Sequence, residues 1–278
     1  MLVMGKKANA IILAGTHADK TKLIYGKNKA FLEINNKPLV INVLDALKNA
    51  ELIDDIGIVG PKKQLEKIID NILIIEESHA PKESRRFIEN ALRTYNILSP
   101  QGERTFFITS DLPLVSSETI DDFVSKCNNF DAALYFSLIN SDNIPDEINS
   151  FKKSTRLYLK GSGYFRTANM TLYEGSKIKD KEFIESQIER AFPQRRTASK
   201  LSKFRLYWFM AKTYPMEVVK YLACSLTKEG IEAAFRKKPG EKLKLIETED
   251  SRASIEIDYE EEYEFIKKNY GKLKERFL

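Results

Sequence analysis

Short apolar runs and amphipathic runs alternate along the first half of the chain. Ala8 to Ala14 (ANAIILA) is short, apolar and followed by Gly15, which predicts a buried strand. Pro38 to Asn49 sets Leu39, Val43, Leu44 and Leu47 at helical spacing, with Pro38 in the first turn, where its missing N–H removes no bond. Ile56–Val59, Ile72–Ile75 and Thr105–Thr109 read as three further strands. Gln64–Asp70, Glu83–Leu98 and Ser117–Cys127 read as helices, the last with a serine cap and Glu118 in its first turn. Strand and helix in alternation, joined by short connections, predict an α/β fold: a Rossmann-like, doubly wound, mostly parallel sheet with helices on both faces. Ligands of such sheets sit at the carboxyl ends of the strands, so the loops leaving strands are where chemistry is expected.

The second half is less regular. Ala132–Ile139 is strand-like, and Tyr158 to Tyr173 holds Gly161, Gly163 and the polar run Arg166 to Asn169. Lys181–Phe192 predicts a helix, closed by Pro193. Phe204–Leu226 is the most apolar stretch, and Pro215 within it predicts two helices rather than one. Thr227–Arg236 continues as helix, Ala253–Asp258 alternates like a strand, and Glu260–Tyr270 closes as a helix. The organisation expected is one domain over residues 1–278, with a helical insert or acceptor and oligomer subregion near 175–240.

Composition narrows the function classes. Among 278 residues, 16 Phe and 12 Tyr require a core and exclude a wholly disordered chain. Lys and Arg number 45 against 40 Asp and Glu, so the net charge is only +5. That excess argues against a nucleic-acid coat and suits a protein handling anionic small molecules. Cys127 and Cys224 lie far apart, as do His17 and His79, which excludes a disulfide scaffold, a cysteine zinc site and a histidine cluster. No leader pattern and no run of about 18 apolar residues is seen, so the expectation is a cytoplasmic protein without a transmembrane segment.

Two loops carry candidate chemistry. After the first predicted strand, Gly15 lets backbone approach a ligand, and Lys20, Lys22, Lys27 and Lys29 add positive charge. The loop reads either as an anion cradle, a nucleotide phosphate being the natural occupant, or as a solvated lysine-rich turn. It has neither a Walker pattern nor GxGxxG. After the fourth predicted strand, Ser110-Asp111-Leu112-Pro113 puts a carboxylate where a divalent ion could be held, or where it caps a turn. Asp258 stands similarly before the closing helix, as an ion ligand, an N-cap or both, whereas Glu260, Glu261 and Glu262 complement the helix N-terminus.

These segments, in this order, resemble the NTP-transferase group of the glycosyltransferase-A-like fold. The chain is nearest in pattern to the molybdenum-cofactor cytidylyl- and guanylyltransferases and to sugar- or alcohol-phosphate nucleotidyltransferases. The group opens with LAGG and continues G-x-x-K-x-L to a GKPL turn. Here the run is Leu13-Ala14-Gly15-Thr16, then Gly26-Lys27-Asn28-Lys29-Ala30-Phe31-Leu32, then Asn36-Lys37-Pro38-Leu39. The D-x-P context is Asp111-Leu112-Pro113, and the late acidic segment is Glu256 to Glu262. The sequence departs at Thr16, at the missing loop arginine for which Lys20 or Lys22 substitutes, and at Asn36, a residue that tolerates left-handed backbone.

The resemblance implies transfer of a nucleotidyl group from an NTP to a phosphorylated small molecule, with release of pyrophosphate. Asp111 and Asp258 would hold Mg2+, and Lys29 would neutralise phosphate charge. Leu13, Ala14, Gly15, Thr16, Lys22 and Asn90 would bind the nucleotide, with Ser84 a second base contact. Arg166 and Asn169 would meet the acceptor, Arg166 otherwise being a strand-edge surface residue. The basic tract Arg195 to Arg205 reads as a solvated face, an anionic-acceptor site or a peripheral membrane contact. The apolar 204–226 segment reads as core, homodimer interface or acceptor contact. A nucleotide-sugar glycosyltransferase of the same fold and a catalytically silent nucleotide-binding protein are the alternative functions.

Overall fold

The computed structural model describes residues 5–16, 23–151, 156–182, 185–186, 211–237 and 242–277. The strands are β1 (Ala8–Leu13), β2 (Glu33–Ile34), β3 (Lys37–Pro38), β4 (Ile53–Gly60), β5 (Leu73–Glu76), β6 (Arg104–Thr109), β7 (Leu134–Asn140), β8 (Leu157–Leu159), β9 (Gly163–Glu174) and β10 (Leu243–Thr248). The helices are α1 (Leu39–Lys48), α2 (Lys62–Leu65), α3 (Glu83–Leu98), α4 (Ser117–Asn128), α5 (Asp146–Phe151), α6 (Pro215–Leu222), α7 (Lys228–Lys237) and α8 (Glu260–Arg276). The main sheet runs β10, β7, β9, β6, β1, β4, β5, with β8 paired to β9. β5, β4, β1 and β6 are mutually parallel, as are β7 and β10, whereas β9 runs antiparallel between β6 and β7.

Alternation along the strands builds a core on each face. Ala10 and Ile12 of β1 pack with Leu39, Val43 and Leu47 of α1, with Ile120 and Phe123 of α4, and with Tyr263 and Ile266 of α8. Ile11 and Val59 face the other way, onto Tyr95 of α3. At the far edge Leu134, Leu138, Leu243 and Leu245 meet Ile231 and Phe235 of α7. Helices thus cover both faces, as the sequence pattern predicts.

Three local features shape the carboxyl end of the sheet and its surroundings. β2 and β3 are joined by Asn35 and Asn36, with φ of 53° and 60°, the left-handed pair that a two-residue hairpin turn demands. The pairing of β7 with β9 breaks between Phe136 and Leu138, and the Ser137 hydroxyl bridges the bulge by donating to the carbonyls of Ala168 and Met170. Because β9 is reversed, its early residues lie at the carboxyl ends of β6 and β7: Met170 pairs Ile108, and Arg166 pairs Ile139.

Two expectations need correction. Ala253–Asp258 is not a strand: Ser251–Ser254 is a 3-10 turn, closed by Asp250 at its start and by Ser254 Oγ donating to the Ser251 carbonyl. An irregular extended segment then leads to Asp258, so the alternation there comes from one-sided burial of Ile255 and Ile257 rather than from pairing. The actual late strand is β10, which the sequence pattern does not single out. The expected helix over 64–70 is instead α2, starting at Lys62 and ending at Leu65. Most of the helix expected over 181–192, the basic tract Arg195 to Arg205 and the first part of 204–226 lie outside the described residues. Past them, Pro215 opens α6 at its first turn, as a proline break predicts.

Candidate active site

The site forms at the carboxyl ends of β1 and β6. Asn28 sets its entrance. Its Oδ1 accepts from the Ala30 N–H at 2.9 Å, capping a single 3-10 turn at Lys29–Phe31. Its Nδ2 donates to the Ala14 carbonyl and to Thr16 Oγ1, both at 3.0 Å. Asn28 thereby fixes the signature loop to the turn that carries Lys29, a positioning role that the sequence alone does not reveal. The preceding turn at Tyr25 and Gly26 is held to α8, with Tyr25 Oη donating to Glu264 at 3.1 Å.

Lys29 is buried, and its Nζ lies 3.3 Å from Asp111 Oδ2 and 2.5 Å from Asp258 Oδ1. Asp111 stands two residues past the end of β6 and is only 8% exposed. Its carbonyl accepts from the Ile257 N–H at 3.2 Å, which draws the 255–258 segment alongside. Asp258 is not a helix cap; Tyr259 takes the N-cap position of α8, and the Glu262 carboxylate accepts the N–H groups of Asp258 and Tyr259 at 2.6 and 3.2 Å. Glu262 therefore serves the helix end, as its place in the sequence predicts.

Glu256 completes the group. Carboxylate oxygens of Asp111, Glu256 and Asp258 all lie within 4.8 Å of one another. Glu256 belongs to the acidic segment of the family pattern but is not among the ligands expected from it; the signal is its spacing of two residues before Asp258. Asn169, expected at the acceptor, donates to Glu256 Oε2 at 2.6 Å from the bulged part of β9. Its amide orients the Glu256 carboxylate. Arg166 is buried, 3% exposed, which removes the reading of a surface arginine. Burial pulls its guanidinium below the usual arginine value, the Arg156 charge adds to this, and Glu256 and Glu262 oppose it.

The donor set fits a hard divalent cation. Three carboxylates against one ammonium leave two negative charges in close quarters. Two such charges about 4 Å apart repel by roughly 4 kcal/mol at an effective dielectric of 20. Among the described residues, Asp111 Oδ1 is buried with no hydrogen-bond partner, an acceptor that a cation would satisfy. A cavity of about 420 Å³ elsewhere is lined by Asn42, Ser116 and Tyr270, by Lys37 and Asp45, which pair with each other, and by Arg252, which pairs with Asp250.

The other nucleotide-binding candidates gather on the neighbouring strand ends. The Ala14 N–H donates to the Val59 carbonyl at 2.8 Å, the Leu13 carbonyl accepts from Ser110, and the Thr16 N–H donates to Glu77. These main-chain groups of Leu13, Ala14 and Thr16 are engaged within the protein. Gly15 keeps the close approach expected of it: a Cβ there would stand 3.0 Å from Asn90 Nδ2 and 3.4 Å from Glu77 Oε2. Asn90 is buried on α3, and its Oδ1 accepts from the Ser78 N–H at 2.6 Å. Ser84 is buried at the start of the same helix. Lys20 and Lys22 lie outside the described residues.

The site thus lies at the carboxyl ends of a mixed sheet of mostly parallel strands. Residues 10–142 match the MobA-like NTP transferase domain, and the chain is an enzyme of the nucleotidyltransferase class. Solved structures share the fold over nearly the whole length. A hypothetical transferase from Thermus thermophilus is similar at 21% identity and a TM-score of 0.69, covering 92% of this chain and 99% of its own. The 4-diphosphocytidyl-2C-methyl-D-erythritol synthase of Anaerococcus prevotii is similar at 14% and 0.53, covering 96% and 97%. A CMP:2-keto-3-deoxy-manno-octonic acid synthetase complexed with CTP is similar at 9% and 0.57, covering 96% and 100%. At these identities the likeness is one of fold.

Proposed function

We infer that this protein transfers a nucleotidyl group from an NTP to a phosphorylated small molecule, in a magnesium-dependent reaction that releases pyrophosphate. The observation that carries the reading is Lys29 Nζ held between Asp111 and Asp258 with Glu256 alongside. The NTP-transferase domain match and the CTP bound by one structural neighbour support a nucleoside triphosphate as donor.

An acceptor phosphate oxygen attacks the α-phosphorus. A new P–O bond forms there, the bond to the bridging oxygen breaks, and pyrophosphate leaves with that electron pair. Asp111, Asp258 and Glu256 are the residues that would hold magnesium, which when bound neutralises charge and polarises phosphoryl oxygens. Lys29 supplies its ammonium to the phosphates, so positioning and charge compensation do most of the work. In this reading Arg166, with Arg156 near it, receives the acceptor phosphate, and Asn169 keeps Glu256 oriented. Gly15 and Asn90 flank the nucleotide.

The test is pyrophosphate release with CTP, GTP, ATP and UTP against a panel of sugar and alcohol phosphates, with and without magnesium. One NTP giving a nucleotide-linked product, lost in Asp111→Ala, supports the reading. Sugar transfer from a nucleotide-sugar, or nucleotide binding without turnover on any acceptor, overturns it.

A further inference from the structure

Helix α1 carries two stripes. Leu39, Val43 and Leu47 face the core. Asn42, Asp45 and Asn49, three and four residues apart, share another side and line the cavity of about 420 Å³. Its other walls are the loop from Pro113 into α4, Arg252 of the 3-10 turn, and the last turns of α8 with Tyr270 and Lys274. Lys29, Asp111, Glu256 and Asp258 are not among its lining residues.

The lining holds donors without acceptors. Asn42 Nδ2 is buried and has no hydrogen-bond partner among the described residues. Tyr270 Oη makes no hydrogen bond among them either. Burial pushes the Tyr270 phenol up in pKa, against the nearby Lys37 charge, so it stays a donor at neutral pH. Lys274 is exposed at the mouth and makes no ion pair among the described residues. The acids that line the cavity are already engaged. Asp45 pairs with Lys37, and hydrogen bonds from Ser116 and from its own N–H hold the Glu118 carboxyl below the usual value. A buried donor left unpaired is costly, so this set calls for acceptor atoms from outside the chain.

Leu114 and Phe277 add apolar surface beside the donors. The volume falls in the roughly 300–1,000 Å³ usual for small-molecule sites. We propose that this cavity is a second binding site, for a small organic anion whose oxygens meet Asn42, Tyr270 and Lys274 while its carbon skeleton lies on Leu114 and Phe277. Phosphate and carboxylate groups share this chemistry. A cation finds no open acceptor here, and a neutral polyol leaves the Lys274 charge unanswered. The walls also lead to the transfer site. Pro113 stands two residues after Asp111, and the Arg252 turn feeds the segment of Glu256 and Asp258. The start of α8 holds the Asp258 N–H through Glu262. An occupant therefore touches the elements that carry all three carboxylates, although its binding does not depend on the transfer reaction.

The experiment is isothermal titration calorimetry of the full chain, without nucleotide or magnesium, against glycerol 3-phosphate, citrate and, as neutral control, glycerol. At least one anion is expected to bind and glycerol is not; the preference between the two anions identifies the headgroup. Lys274→Gln and Tyr270→Phe should each weaken binding about tenfold, the scale of a lost hydrogen bond to a charged group. Arg166→Gln should keep it. Lys274 is exposed, so its substitution leaves the fold intact, which thermal unfolding of each variant checks. Absence of binding by both anions overturns the proposal, as does equal binding of glycerol. Undiminished binding by Lys274→Gln also overturns it, and a loss confined to Arg166→Gln would assign the anion to the transfer site instead.

Discussion

Lys29 Nζ meets Asp258 Oδ1 at 2.5 Å across 229 residues of chain. It is the cation among the three clustered carboxylates, so Lys29→Met leaves them to repel one another. The variant is expected to lose about 3 kcal/mol of stability at neutral pH, the scale for breaking a buried ion pair. Added magnesium should restore stability. Denaturant unfolding at neutral pH, with and without magnesium, measures both effects, and a variant as stable as wild type would sink the idea.

Asp111→Asn keeps shape while removing the charge at the end of β6. Pyrophosphate release is expected to fall by about 100-fold or more, the scale for one preorganised charge contact. The thermal midpoint should stay near that of wild type, because Lys29 retains Asp258. Full turnover in this variant would remove Asp111 from the reaction.

Gly15→Ala tests the nucleotide side. The added Cβ would press Asn90 Nδ2 at 3.0 Å, and the amide must move by a few tenths of an ångström. KM for the NTP should rise about tenfold with kcat changing much less, the pattern of a lost binding contact. An unchanged KM would place the nucleotide away from this corner.

Asp250 gives acid sensitivity at the root of the 255–258 segment. Burial pushes its carboxyl up, but hydrogen bonds from Arg252 and Thr119 outweigh this and hold it below the ordinary aspartate value. A depressed folded-state pKa means the stabilisation is present above the unfolded value near pH 4 and is lost as pH falls through the folded one. Asp250→Asn should therefore be less stable than wild type at neutral pH and lose less on acidification. Parallel unfolding curves for the two proteins at all pH values would contradict this.

The nucleotide half is the more legible in the sequence. Helix α3 begins and ends at the residues its periodicity marks, and β1 is bounded by the glycine after it. Both depend on contacts close in sequence. Lys29, Asp111 and Asp258 can be named because their motifs are local, although nothing local reveals that their side chains meet. The reversed direction of β9 is a property of pairing between distant strands, invisible in its own residues. The segment before Asp258 misleads because burying Ile255 and Ile257 on one side mimics a strand, while the Asp250 and Ser254 hydrogen bonds that make a 3-10 turn leave no periodic trace. Asn28 and Glu256 escape notice for the same reason, since each acts through a partner supplied by another element.

The placing of β9 between β6 and β7 sets a chronology for synthesis. β6 and β7 follow one another in the chain, yet they become joined only after β9 has been made. Glu256 and Asp258 leave the ribosome later still. A nascent chain that has released Lys29 and Asp111 therefore holds no three-carboxylate group. A product that ends just before residue 256 carries the complete set of strands and only one of the three carboxylates.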